Sequence, residues 1–267
     1  MLSHDEELKK KITDGLCTDM EGKMEGVWSL STSCTSNPLC QKYHKIKGSI
    51  CEKCYAHTLM ELRKGLERKG ERNAEILTKE RLVLLKSTPV LPDKVKYFRF
   101  EAFGDVQNET QLMNYLMITL QNKDTRFALF TKNYKLILDF FAGDTFVPDN
   151  LTVVVSSLFL NKSIRSEVFY KTCRGFAPGQ LKVFTVYDYE YLKEHPKVEI
   201  NCGSRSCMKC GKCYEKNKTV SIREILKTQQ EKTERMLKMR DPEVLDDLFS
   251  NLSEIFKAGL DKKEEKR

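Results

Sequence analysis

Hydrophobic and polar positions change period several times along the chain. Residues 1–25 are polar and charged, without a sustained apolar stripe, and read as a lead-in. Val27, Trp28, Ser29, Leu30 and Ser31 then alternate as in a strand, which runs directly into Cys34 and Cys40. Across 55–86, Leu59, Leu62, Leu66, Ile76, Leu77, Leu84 and Leu85 supply one face of a long helix, with breaks expected near Gly65 and Gly70 and an end forced by Pro89 and Pro92. Beyond that the period switches repeatedly. Strands are expected at 97–101, 127–131, 151–157, 181–186 and 198–201, with helical stretches at 111–120, 134–141, 163–170 and 189–195 between them.

Strands alternating with helices predict an α/β fold with a parallel sheet. About six strands fall short of a complete eight-stranded barrel, so the expectation is a partial (β/α) barrel, with a doubly wound sheet as the alternative. The expected organisation is a lead-in over 1–25, a cysteine-rich α/β body over 26–214 and a helical C-terminal extension over 215–267. In that extension Ser221 with Glu224 reads as a capping box. Asp241 and Pro242 open a second helix, whose stripe is Leu245, Leu248, Phe249, Leu252, Ile255 and Phe256.

Composition sharpens this picture through one residue type. A chain of 267 residues, 40% hydrophobic, buries an ordinary core without staples, so its 10 cysteines are not needed for stability. No apolar run approaches a membrane span and the N-terminus lacks a secretory pattern, so a cytoplasmic location is expected. In a reducing compartment, clustered cysteines point to metal or redox chemistry. The net charge of +8 is compatible with a nucleic-acid partner. Lys and Arg interleave with Asp and Glu, however, as in Arg63, Lys64, Arg68, Lys69 and Arg72 against Glu61, Glu67 and Glu71, which favours a solvated face.

The cysteines fall into two groups. Cys207, Cys210 and Cys213 follow a C-x2-C-x2-C pitch preceded by Cys202, which lets one loop wrap several corners of a [4Fe-4S] cluster. Zinc is the alternative; it usually takes two separated C-x2-4-C pairs, so consecutive spacing suits it less. Cys34, Cys40, Cys51 and Cys54 form a looser set able to bind a second cluster, a zinc ion, or part of a shared site, with His44 and His57 nearby. With Cys202 placed after the last strand and Cys34 after the first, both groups are expected at the carboxyl ends of the strands. Glu101, Asp105 and Lys132 are the candidate catalytic residues there, since a carboxylate beside a cation serves a polar substrate or a proton transfer. Arg99 is read as an ion-pair partner of Glu101, and Cys17 and Cys173 as ordinary thiols.

The motif Cys51-Glu52-Lys53-Cys54-Tyr55-Ala56, with Phe103-Gly104-Asp105, Phe130-Thr131-Lys132 and the closing cysteine segment 202–213, resembles the bacteriophage "gene product 88" family of cysteine-rich proteins. The likeness spans roughly 24–214. Through that family the chain is distantly similar to radical S-adenosylmethionine enzymes, which carry a [4Fe-4S] cluster on a loop after the first strand of a partial barrel. The resemblance implies a phage protein acting in a host cytoplasm, an iron–sulfur redox or radical enzyme, and S-adenosylmethionine as a further cofactor. The chain departs from the C-x3-C-x2-C signature: only Cys51 and Cys54 are so spaced, and Tyr55 follows rather than precedes the last cysteine. A fourth cysteine ligand leaves no open iron for the methionine part of that cofactor. The competing class is a zinc- or cluster-stabilised module binding nucleic acid or a protein.

Overall fold

The computed structural model describes residues 2–226; the helix expected from Asp241 and the rest of the C-terminal segment lie outside the described residues. In chain order the elements are α1 (His4–Asp14), β1 (Trp28–Leu30), α2 (Pro38–His44), α3 (Tyr55–Leu62), α4 (Lys64–Lys79), β2 (Tyr97–Phe100), α5 (Glu109–Gln121), β3 (Arg126–Thr131), α6 (Tyr134–Phe140), β4 (Leu151–Ser156), α7 (Ser166–Thr172), β5 (Leu181–Tyr187), α8 (Tyr189–Glu194), α9 (Cys207–Cys210) and β6 (Ser221–Ile225).

The six strands form one sheet in the order β1-β2-β3-β4-β5-β6, and every neighbouring pair is parallel. Leu30, Phe98, Phe100, Phe127, Leu129, Val153, Val155 and Leu181 point to one face and join the helices α1, α4, α5, α6 and α7 in the main core. A doubly wound sheet reverses its strand order and carries helices on both faces. Sequential order with one helical face is a singly wound sheet. The second face, bearing Tyr97 and Ala128, is covered by Val27, Tyr214, Met208, Cys207 and Cys213. No helix among the described residues is long and apolar enough to cross a membrane.

Three expectations are corrected. Residues 4–14 are a helix, α1, started by a Ser3–Glu6 capping box and buried through Leu8 and Ile12. Two apolar residues one turn apart suffice because α4 supplies the opposing surface. The long helix of 55–86 breaks at Arg63 and ends at Lys79, and Gly70 lies inside α4 rather than at a break. The strand expected at 198–201 is absent, and the final strand is instead β6, where Ser221 and Glu224 mimic a capping box but Ile222, Arg223 and Glu224 alternate in pairing with β5. Lys64 and Glu67 form the expected ion pair on α4, at 2.8 Å.

Candidate metal centres

The first centre is assembled at the carboxyl ends of β1, β2 and β3. The chain leaves β1 through Thr32, whose N–H and hydroxyl both donate to the Glu101 carboxylate at 3.0 Å. Cys34 follows, 2% exposed, its Sγ 3.5 Å from Met60 Sδ on α3. Asn37 then caps α2 by accepting from the Leu39 and Cys40 amides, while its own amide donates to the Asp105 carbonyl at 2.7 Å; this sets Cys40 over the ends of β2 and β3. Asn37-Pro38 is an ordinary helix-start pair, a signal present in the sequence but not used above. Cys51 lies in a short turn opened by Ser49, and Cys54 caps α3.

All four thiols act on one another. The Cys34 thiol beside Cys54 keeps the Cys54 thiolate low, aided by the His57 and Ala56 amides, while Cys34 itself is driven up by Cys54 and by burial. Burial also raises Cys40 and Cys51, with Cys51 adding to the rise at Cys40 and Cys54 to that at Cys51. His44 and His57 stack at 4.3 Å beside the group, with His44 Nδ1 on the Cys51 carbonyl and His57 Nδ1 3.5 Å from Glu61.

The three candidate catalytic residues stand in different positions. Glu101 is 2% exposed and holds a positive φ of 56°. Its carboxylate accepts from Thr32, from Gln111 Nε2 at 2.6 Å and from Tyr115 Oη at 2.5 Å, so its oxygens are turned into the protein. Burial pushes its pKa up to about 7 against those hydrogen bonds. A Cβ at Gly104 would lie 2.5 Å from Thr32 Oγ1 and 2.7 Å from Glu101 Oε2, so this knot requires a glycine there. Asp105 accepts from Thr131 Oγ1 at 2.5 Å and from the Lys132 and Val106 amides at 2.8 Å, and burial raises its pKa. Lys132 is half-buried. Burial works against its charge, but Cys51, Asp105, Cys54 and Cys40 together hold the ammonium's pKa above the ordinary value. Arg99 does not pair with Glu101. It lies on the other face of the sheet, 3.8 Å above the Phe130 ring.

The second centre is built differently. Cys202 hangs from β6 through its amide on the Arg223 carbonyl, and its Sγ lies 3.1 Å from Lys23 Nζ. Ser206 caps the single turn α9 that carries Cys207 and Cys210. Gly211, at a φ of 63°, turns the chain back so that Cys213 rejoins them; a Cβ there would meet Tyr97 Oη at 2.7 Å. The segment continues along the amino ends of the strands. Thr152 donates to the Tyr214 carbonyl, Tyr97 to Glu215, and Lys182 to Asn217 and the Thr219 carbonyl. The expectation that both groups share the carboxyl ends is therefore corrected: the second group lies on the face opposite the helices and towards the strands' amino ends, because its loop precedes β6 instead of following a strand.

Burial raises Cys202 and Cys207, and lifts Cys213 to about 12, with Cys202, Cys207 and Cys210 adding to that rise. The four cysteines line one small cavity of about 20 Å³ with Lys23 and Tyr214. Arg99 faces Cys207 and Cys213, and its Nε is buried without a hydrogen-bond partner.

All ten cysteines are free thiols. Cys17 pairs by backbone with Ser29 and Cys173 is buried under the Ile137 carbonyl, both apart from the two groups. Among the described residues no three His, Cys, Asp or Glu side chains are drawn together tightly enough to hold a single metal ion. Thr32, Gln111, Tyr115, Lys23 and Met60 were not legible as site residues, since each contributes through a contact distant in sequence.

No curated protein and no solved structure matches the chain. The family described as gene product 88 matches residues 6–174, a span that holds the whole first centre and ends before the second. The chain belongs to the gene product 88 family.

Proposed function

We propose that the chain is an iron–sulfur redox protein in which Cys34, Cys40, Cys51 and Cys54 hold one [4Fe-4S] cluster and Cys202, Cys207, Cys210 and Cys213 hold another. The observation that carries the proposal is the convergence of eight unpaired thiols into two groups of four, each facing a cation. Burial and neighbouring thiols raise the pKa of Cys34, Cys40, Cys51, Cys202, Cys207 and Cys213, and binding to iron would hold these groups as thiolates. The buried, unpartnered Arg99 Nε and the Lys23 ammonium face the second set, where a cluster supplies the missing negative charge. A cluster, when bound, supplies one-electron transfer.

Six parallel strands in sequential order, with helices on one face, are the winding of an opened (β/α) barrel, and the first cysteine loop leaves β1 as it does in radical S-adenosylmethionine enzymes. Four thiols at that loop leave no vacant ligand position for S-adenosylmethionine, so the proposal is redox chemistry at the carboxyl ends of the strands. Lys132 is the group there that can meet a polar substrate. Asp105 positions it by holding the Lys132 amide, and Glu101 positions Thr32 and with it the Cys34 loop.

The test is iron and sulfide per chain in Cys51→Ser and Cys210→Ser proteins purified without oxygen. Each single variant is expected to lose half the iron and the double variant nearly all of it. Full iron in either single variant, or zinc in place of iron, refutes the assignment.

A further inference from the structure

The two centres differ most in the charges that face them. At the first, Cys40 feels the Asp105 and Glu101 carboxylates, and Lys132 is the opposing cation. At the second, Lys23 touches Cys202, while Arg99 lies over Phe130, and Phe130, Cys207 and Cys213 pack against one cluster of Val27, Tyr97, Ala128 and Tyr214. Lys23 is paired with Glu224 at 2.5 Å, so the two charges largely offset each other beside Cys202 and, among the described residues, Arg99 is left as the unopposed cation of that site. Nearby positive charge and hydrogen-bond donors favour the more reduced, more negative state of a cluster, while nearby carboxylates disfavour it. The first set lies at the carboxyl end of β2 and the second packs near Tyr97 at its amino end, and the four residues of β2 at about 3.3 Å each span about 13 Å.

Resting on the cluster reading above, we infer that the second centre would have the higher reduction potential, so that an electron held at the first centre would pass to it. A one-electron donor would reduce the first centre and a soluble one-electron acceptor would oxidise the second, so that each electron supplied at one is removed at the other. Arg99 is the positioning charge: its guanidinium is fixed over Phe130 and its buried Nε–H has no hydrogen-bond partner.

The experiment is an anaerobic potentiometric titration of the full chain with dithionite, followed by electron paramagnetic resonance. Cys51→Ser, keeping the second centre, and Cys210→Ser, keeping the first, identify the two signals. The second-centre signal is expected to appear first, at the more positive potential. Arg99→Met shifts that signal to more negative potential and leaves the other in place, and Arg99→Lys restores most of the shift. Lys132→Met shifts only the first-centre signal. If a cysteine variant fails to fold, the paired shifts of Arg99→Met and Lys132→Met in the otherwise intact chain carry the same assignment. Iron present with the first-centre signal appearing first, or with the second unmoved by Arg99→Met, overturns the inference alone; protein holding zinc and no iron overturns the cluster reading and this inference together.

Discussion

Two glycines in α4 are expected to respond in opposite directions to the same substitution. At Gly65 a Cβ meets nothing within 4 Å, so Gly65→Ala gains helix propensity alone, about 0.5–1 kcal/mol. At Gly70 a Cβ would lie 2.9 Å from the Ser33 nitrogen, 3.0 Å from its Cα and 3.1 Å from the Thr32 carbonyl carbon. These are main-chain atoms of the segment leading to Cys34, and they cannot rotate away. Overpacking costs roughly 1–3 kcal/mol, and immobile neighbours put this case near the upper end; after the helix gain of about 1 kcal/mol the net loss is about 2 kcal/mol. At about 2–4 °C per kcal/mol for a chain of this size, the melting temperature should rise by about 1–4 °C for Gly65→Ala and fall by roughly 4–8 °C for Gly70→Ala. Thermal unfolding of the three proteins, with metal content measured on the same samples, checks this. The Gly70 variant should also lose metal at the first centre, because α4 sets the Cys34 loop. A stabilised Gly70→Ala protein would refute the claim that this contact positions the loop.

Other expectations follow from single contacts. Glu101→Gln turns an amide N–H₂ toward Thr32, Gln111 and Tyr115, all donors, and should cost about 2 kcal/mol at pH 5 in urea unfolding. Because burial raises the Glu101 pKa from 4.5 to about 7, the folded state holds its proton longer, and the wild type should lose on the order of 3 kcal/mol as pH rises through that window. The gap of about 2 kcal/mol to Glu101→Gln should therefore close or reverse by pH 8, and an unchanged gap contradicts the buried-carboxylate account. Asn37→Ala removes the α2 cap and the bond to the Asp105 carbonyl, costing about 2 kcal/mol and lowering metal at the first centre only, as read by metal analysis. Gly211→Ala forces a side chain into a left-handed conformation and onto Tyr97, costing about 1–3 kcal/mol and depleting the second centre only.

Much of the sheet was legible because β2 to β5 are short runs dominated by Val, Phe, Leu and Thr and bounded by turns, close to the pattern of strands buried on both faces. α1 was missed because two apolar residues in a charged stretch give too weak a stripe, although Ser3 and Glu6 already marked its start. β6 was misread because Ser-x-x-Glu satisfies a capping box and a half-exposed edge strand equally well; pairing with β5 decided between them. The membership of each cysteine group could be read from spacing, which is local. Their placement could not, since it depends on whether a loop leaves one strand or approaches the next. The environment of Glu101 was equally hidden: Thr32, Gln111 and Tyr115 reach it from three separate elements.

The most direct test of two cluster sites is iron, acid-labile sulfide and zinc analysis, with visible spectra, on wild-type chain purified without oxygen. The account predicts about eight iron and about eight sulfide per chain, with broad absorbance near ~400 nm that bleaches on reduction. Colourless protein holding one or two zinc ions would contradict it and make the cysteine groups structural zinc sites.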